Sequence, residues 1–91
     1  MDMSRRLAAH YIEGGRLREG VRTCYRVLKK DRSDEDAHGL LTECFVRLGQ
    51  RGRALRQYRL CEQALRDAYD VPPSPGTWAL FACILDNGGL R

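Results

Sequence analysis

No run of apolar residues in this 91-residue chain comes near the ~20 that a membrane span needs. Its N-terminus, MDMSRRLAAHYIEGG, has neither a long apolar core nor a small-residue cleavage site, which excludes a secretory leader. We therefore expect a cytoplasmic protein without membrane contact. Strand signals are nearly missing, because valine, isoleucine and threonine are few and helical periodicity runs through the whole chain. The four cysteines, Cys24, Cys44, Cys61 and Cys83, stand 20, 17 and 22 residues apart, with no CxxC or CxxH. That spacing fits no zinc site, and each cysteine falls at an apolar helical position. Reduced core thiols are expected, not metal ligands or disulfides. There is no G-x-S-x-G, no Gly-rich loop between strand and helix, and no His pair spaced for a metal. Neither an enzymatic activity nor a cofactor is expected.

What is present is ordinary for a small folded domain: 43% apolar residues, 31% charged and no low-complexity run. A chain of this size buries only about 60 to 65% of its unfolded surface, so its stability margin is thin. Sixteen basic residues against twelve acidic ones give a net charge of +4. Such an excess permits an acidic partner or nucleic acid without requiring either.

Five helices are expected. The first, about Asp2 to Glu13, puts Leu7, Ala8, Tyr11 and Ile12 on one face and stops at Gly14-Gly15. The second, Leu17 to Lys30, carries Leu17, Val21, Cys24, Val27 and Leu28 and ends in the turn Asp31-Arg32-Ser33. Ser33 resembles an N-cap with Asp36 at the third position, while Asp34 and Glu35 suit the positive end of a helix dipole. The third helix, Asp34 to Leu48, lines up Ala37, Leu41, Cys44, Phe45 and Leu48 and stops at Gly49. The fourth starts near Gly52 and reaches Tyr69 with Ala54, Tyr58, Cys61, Leu65 and Ala68 as its stripe; Pro72, Pro73 and Pro75 forbid its continuation. Ser74-Pro75 opens a fifth helix with Trp78, Phe81, Ala82 and Leu85 on its apolar face, ending at Asn87-Gly88-Gly89.

Shifting the chain by 34 residues pairs Leu7 with Leu41, Tyr11 with Phe45, Gly15 with Gly49, Gly20 with Ala54 and Cys24 with Tyr58. A helix-turn-helix unit of that period marks tetratricopeptide repeats. A large aromatic fills the space inside each pair, and a tiny residue sits where its second helix crosses the first. The expected fold is all-α: one domain over residues 1–91, built of two tetratricopeptide-like antiparallel hairpins, 2–31 and 34–69, and a capping helix, 75–87, in an α-α superhelix.

The stretch from Asp34 to Leu85 resembles the bacterial transcriptional activator domain, the helical region beside the winged-helix DNA-binding domain of SARP-type regulators. The resemblance rests on Glu35, Asp36, Ala37, His38 and Leu41, then on Gly49, Ala54, Leu55, Tyr58 and Leu65, and last on Val71, Pro73, Ser74 and Pro75. The first hairpin fits the preceding part of the same domain. Three departures stand out: Asp70 where the family usually has glycine, Pro72 where it commonly has glutamate, and Gly20 in place of a small alanine. The resemblance implies a protein-interaction and self-association module that contacts RNA polymerase, a paired DNA-binding domain or another regulator. No winged helix lies in the chain, so a fragment or a stand-alone effector domain is expected, without sequence-specific DNA binding of its own. The alternative is a free-standing adaptor that holds a peptide or helix in its groove and has no tie to transcription.

Two surfaces follow as candidates. Arg18, Arg22, Arg26 and Lys29 form a ridge on the second helix, and Arg56, Arg59, Gln63 and Arg66 form one on the fourth. Second helices lie on the convex face, where nucleic-acid backbone or an acidic protein could dock. The plainer reading is a solvated face partly neutralised by Glu19, Glu62 and Asp67. First helices line the concave side, where Arg5, Ala9, Ile12, Gly39, Glu43 and Val46 are expected. Repeats that clamp a C-terminal carboxylate use a basic residue and an Asn four positions on. Here Ala9 follows Arg5, so a helix or partner subunit suits this groove better. His38 is expected to be a packing residue and His10 a surface one. Two hairpins leave apolar ends uncovered. The helix bearing Trp78 and Phe81 would cap one, and a second copy would cover the other, around Leu7, Tyr11 and Val21.

Overall fold

The computed structural model describes the backbone of residues 2–89 and the side chains of residues 6–85. Five helices run α1 (Asp2–Glu13), α2 (Leu17–Lys30), α3 (Glu35–Arg47), α4 (Arg51–Tyr69) and α5 (Pro75–Gly89). No strand occurs among the described residues. The fold is all-α, and its packing is that of a helical-hairpin superhelix.

Two left-handed glycines turn the chain, Gly15 at φ 80° and Gly49 at φ 76°. At the first, the Gly15 N–H donates to the Ile12 carbonyl at 3.1 Å and the Arg16 N–H to the Tyr11 carbonyl at 2.7 Å. At the second, Gly49 donates to Val46 at 3.0 Å and Gln50 to Phe45 at 2.8 Å. This is the same two-bond helix stop, repeated 34 positions later. A third left-handed residue ends α4: Asp70, at φ 56° and ψ 43°. Glycine would hold that conformation without strain, and aspartate tolerates it better than most other residues.

Within each hairpin the helices pack antiparallel, and α2 packs on α3 to join the hairpins. The backbones of α1 and α3 also approach each other, whereas those of α2 and α4 do not. The two-layer array therefore curves, with α1 and α3 on its inner side. Packing is tightest at Gly20. A Cβ there would stand 3.1 Å from Ile12 Cγ1 and 3.3 Å from Cys44 Sγ, so three helices converge on a backbone with almost no room. Its counterpart Ala54 is fully buried. Around them Ala8, Cys24, Leu41, Phe45 and Ile84 form the centre of the core.

Several expectations need correction. The N-cap of α3 is Asp34, whose carboxylate accepts the Ala37 N–H at 3.0 Å. Ser33 instead gives its N–H and hydroxyl to the Asp31 carboxylate, at 3.1 and 2.8 Å. Leu7 is 42% exposed while Ala8 and Ile12 are buried, because α1 meets α2 along a line one residue further round. On α5 the buried side chains are Phe81 and Ile84; Trp78 (53%) and Leu85 (41%) face outward. That rotation follows from two contacts described below, at Thr77 and Phe81. Cys83 shares the outward face and is exposed, unlike the other three cysteines. Burial pushes the Cys24 and Cys61 thiols up to about 12 and Cys44 to about 11, which keeps all three protonated. Helix α5 also continues past Asn87 to Gly89.

Gly20 allows a direct check. Alanine gains about 1 kcal/mol of helix propensity and spends it against the two close neighbours, so Gly20→Ala should change stability by less than about 1 kcal/mol. Gly20→Leu should cost about 3 kcal/mol or more, from overpacking at a three-helix junction. Urea unfolding of both variants measures the difference, and equal stability would refute the close crossing.

Candidate partner-binding cleft

The fifth helix is placed by a carboxylate from the third. Glu35, in the first turn of α3, accepts the Ser74 N–H and the Thr77 hydroxyl on one oxygen, each at 2.6 Å. Ser74 is where α5 begins, for the Trp78 N–H returns to its carbonyl at 3.0 Å. A negative charge from a different helix thus caps α5, at the end where the helix dipole favours it. Partial burial pushes the Glu35 carboxyl up, but the bonds from Ser74 and Thr77 outweigh this and hold it below its ordinary value. One turn later Phe81 stacks on Tyr58 of α4, with ring centroids 4.0 Å apart and planes 13° from parallel. These two contacts fix the rotation of α5.

His38 holds the other side of α3. Its Nε2 lies 2.8 Å from the Arg32 carbonyl oxygen, and its Nδ1 lies 2.8 Å from the Gln57 side-chain nitrogen. The carbonyl needs a donor and the amide nitrogen needs an acceptor, so a neutral ring with its proton on Nε2 satisfies both. Burial holds the ring below the ordinary histidine value, against the pull of the Arg32 carbonyl and of Asp34 and Glu35. The expected packing role for His38 is what the geometry gives, and His10 lies on the surface.

Between α1, α3 and α5 opens a cleft of about 420 Å³. Leu40 and Leu80 give it an apolar floor. Asp36 and Glu43 give it acidic sides, Arg6 is the one cation among its described lining residues, and Gly39 and Gly76 leave it open. A Cβ built on either glycine meets nothing within 4 Å. Glu43 is steered by Arg47 at 2.8 Å. Of the residues expected on the concave side, Gly39 and Glu43 therefore lie in the cleft. Val46 is exposed one turn beyond it, and Ala9 is half-buried. Ile12 is not available to a partner: it is 2% exposed, packed against Gly20. The Arg5 side chain lies outside the described residues; Arg6, its neighbour, lines the cleft. Sequence reasoning missed the α5 wall, Thr77 and Leu80, because nothing in the spacing shows where a helix beyond a proline linker will dock. The acid Glu35 was visible as a dipole partner of its own helix, not of another.

On the opposite layer every ridge residue is exposed: Arg18, Arg22, Arg26 and Lys29 on α2, and Arg56, Arg59 and Arg66 on α4. The α4 ridge is interrupted, since Gln63 donates to Asp67 at 2.9 Å. Among the described residues no group of His, Cys, Asp and Glu could hold a metal, and no helix is long and apolar enough to cross a membrane.

An all-helical scaffold with a small open cleft on its inner layer is the class of protein these features define. The chain belongs to the bacterial transcriptional activator domain family, whose model matches residues 1–85, and is thus a domain of transcription regulators. No curated protein and no solved structure matches it.

Acid should weaken the structure in two stages. Below 6.5 the unfolded His38 takes up a proton that the buried native ring resists; below 4.5 the unfolded Glu35 takes one up that the native carboxylate, held lower by its bonds to α5, resists until it too protonates and those bonds fail. Stability therefore falls as pH falls through both windows, and NMR should find native His38 titrating below 6.5. A value at or above that would contradict the buried neutral ring. Glu35→Ala should cost about 1 to 2 kcal/mol at pH 7, less than a buried charged hydrogen bond because the carboxylate is partly solvated.

Proposed function

We propose that this chain is the protein-holding and self-associating module of a transcription regulator in the cytoplasm, and that the α1/α3/α5 cleft takes a segment of RNA polymerase or of another regulator. The observation that carries this is the cleft's composition: an apolar floor from Leu40 and Leu80, acids at its sides, and two glycines that let another backbone come close. An amphipathic helix with a basic residue fits those features, its apolar edge on the leucines and its cation toward the acidic side of the cleft. Family membership supports the link to transcription over the free-standing adaptor.

Self-association would use the α1 end of the array. Leu7 is 42% exposed there, beside a half-buried Tyr11 whose ring lies 5.4 Å from the Arg16 guanidinium carbon. The apolar end of a two-hairpin stack is the surface a further repeat would cover, and a second copy can take that place.

Gly39 separates folding from binding. Because its Cβ position is open and it lies mid-helix, Gly39→Gln should raise stability by about 0.5 to 1 kcal/mol. The same side chain would fill the cleft and reduce retention of RNA polymerase at least about tenfold, a loss of about 1.4 kcal/mol. Undiminished retention by this well-folded variant would rule out the cleft as the binding site. For self-association, sedimentation at high concentration should show a dimer that Leu7→Asp turns into monomer. A parent chain that sediments only as monomer defeats that part of the proposal.

A further inference from the structure

The charge of this small domain is separated by layer. Helix α2 carries five cations against one acid, and that acid, Glu19, lies 3.6 Å from Arg16 in the preceding turn. Helix α3, on the inner layer, carries three acids against one arginine. The net charge of +4 thus understates a strongly basic outer face and an acidic inner one.

We propose that the exposed face of α2 docks on the phosphate backbone of duplex DNA, without reading its sequence. Arg18, Arg22, Arg26 and Lys29 stand on one stripe of the helix, and all are exposed. The stripe runs over about 16 Å at 1.5 Å per residue. Among the described residues none of these four is within ion-pair distance of a carboxylate. Tyr25 lies in the same stripe, 51% exposed, and its hydroxyl adds a donor for a phosphate oxygen. At its C-terminal end the stripe opens into a groove of about 490 Å³ between α2 and α4. There Lys30 and Arg32 join Lys29 over a floor of Ala64 and Ala68, with Asp31 and Asp67 also on the lining.

The occupant follows from what this face lacks. A stable protein interface has an apolar centre inside a polar rim, and Tyr25 is the one large apolar side chain of α2 with such exposure. A row of cations dominated by arginine, with no apolar centre, matches a uniform line of phosphates instead. The α4 ridge is the weaker candidate, because Glu62 and Asp67 interrupt it. In a transcription regulator this contact would hold the domain against DNA flanking the site that a separate reader selects, leaving the cleft on the opposite layer free for its protein partner.

The test is binding of the whole chain to a 20-base-pair duplex of arbitrary sequence, read by fluorescence anisotropy between 50 and 200 mM salt. Four phosphate contacts give a log–log slope of about −3.6, a loss of about 150-fold in affinity over that range. Arg22→Ala with Arg26→Ala should halve the slope to about −1.8. Arg6→Ala with Arg47→Ala removes the same charge from the inner layer and should leave the slope within about 0.5 of the parent value. Both variants alter exposed side chains, so circular dichroism should match the parent. No binding at 50 mM salt would overturn the proposal. So would equal losses from the two variants, which mean attraction by net charge alone. Displacement of the duplex by polyglutamate at equal charge concentration would also overturn it, assigning the face to an acidic protein. The cleft reading is independent, since Gly39→Gln should leave the slope unchanged.

Discussion

The structure depends on the close crossing at Gly20. There α2 lies against Ala8 and Ile12 of its own hairpin and against Cys44 of the next, so one backbone point joins three helices. A side chain at that point would push α2 away from one neighbour or the other. Either movement would change the angle between the hairpins, and with it the curvature that sets α1 and α3 around the cleft. The glycine lowers the intrinsic helix stability of α2 by about 1 kcal/mol, and the close packing of Ile12 and Cys44 offsets it. The equivalent site in the second hairpin has room for the methyl of Ala54, fully buried. The difference lies in position: α2 is pressed from both sides, whereas α4 meets α3 on one side and the lone helix α5 on the other.

The repeat was legible because it is written in residues whose chemistry is local. Gly15 and Gly49 stop helices by accepting a left-handed backbone, and their hydrogen bonds recur in the same order. The small-large pattern of Gly20 with Ala54 and of Tyr11 with Phe45 is likewise read from the chain alone, as like residues 34 positions apart. What periodicity missed is rotation. Leu7 and Ala8 are both apolar and adjacent, and only the position of α2 decides that Ala8 is buried and Leu7 is not. The same holds for Trp78, which looks like the anchor of α5 by size, while the smaller Phe81 holds that place against Tyr58. Cys83 was grouped with three buried thiols for the same reason.

The cleft was legible in part, and the division is physical. Gly39 and Glu43 lie on one stripe of one helix, so spacing finds them. Arg6, Thr77 and Leu80 come from two other helices, 33 or more residues away from Gly39 in sequence. Their place depends on how α5 returns across the array after its proline linker. Ile12 fell into the groove by period and lies in the core by contact, because an inner helix has a face toward its hairpin partner as well as one toward the groove.

That return is guided more than driven. Asp70 reverses the chain in a left-handed turn, and Pro72, Pro73 and Pro75 restrict the backbone that follows, so little entropy remains to be lost when α5 docks. Among the described residues the docking contacts are few: one carboxylate on two donors, one aromatic stack, the buried Ile84 and the half-buried Leu80. If the cleft binds as proposed, a wall held so lightly would gain stability from its occupant. Because Glu35 and Thr77 line the cleft as well as tether the wall, a partner that approaches Asp36 and Glu43 acts on the same electrostatic field that caps α5. A cation brought to the cleft by the proposed partner would compete with the α5 dipole for the Glu35 carboxylate. The acid that places α5 would therefore also feel whatever charge the proposed partner brings to the cleft.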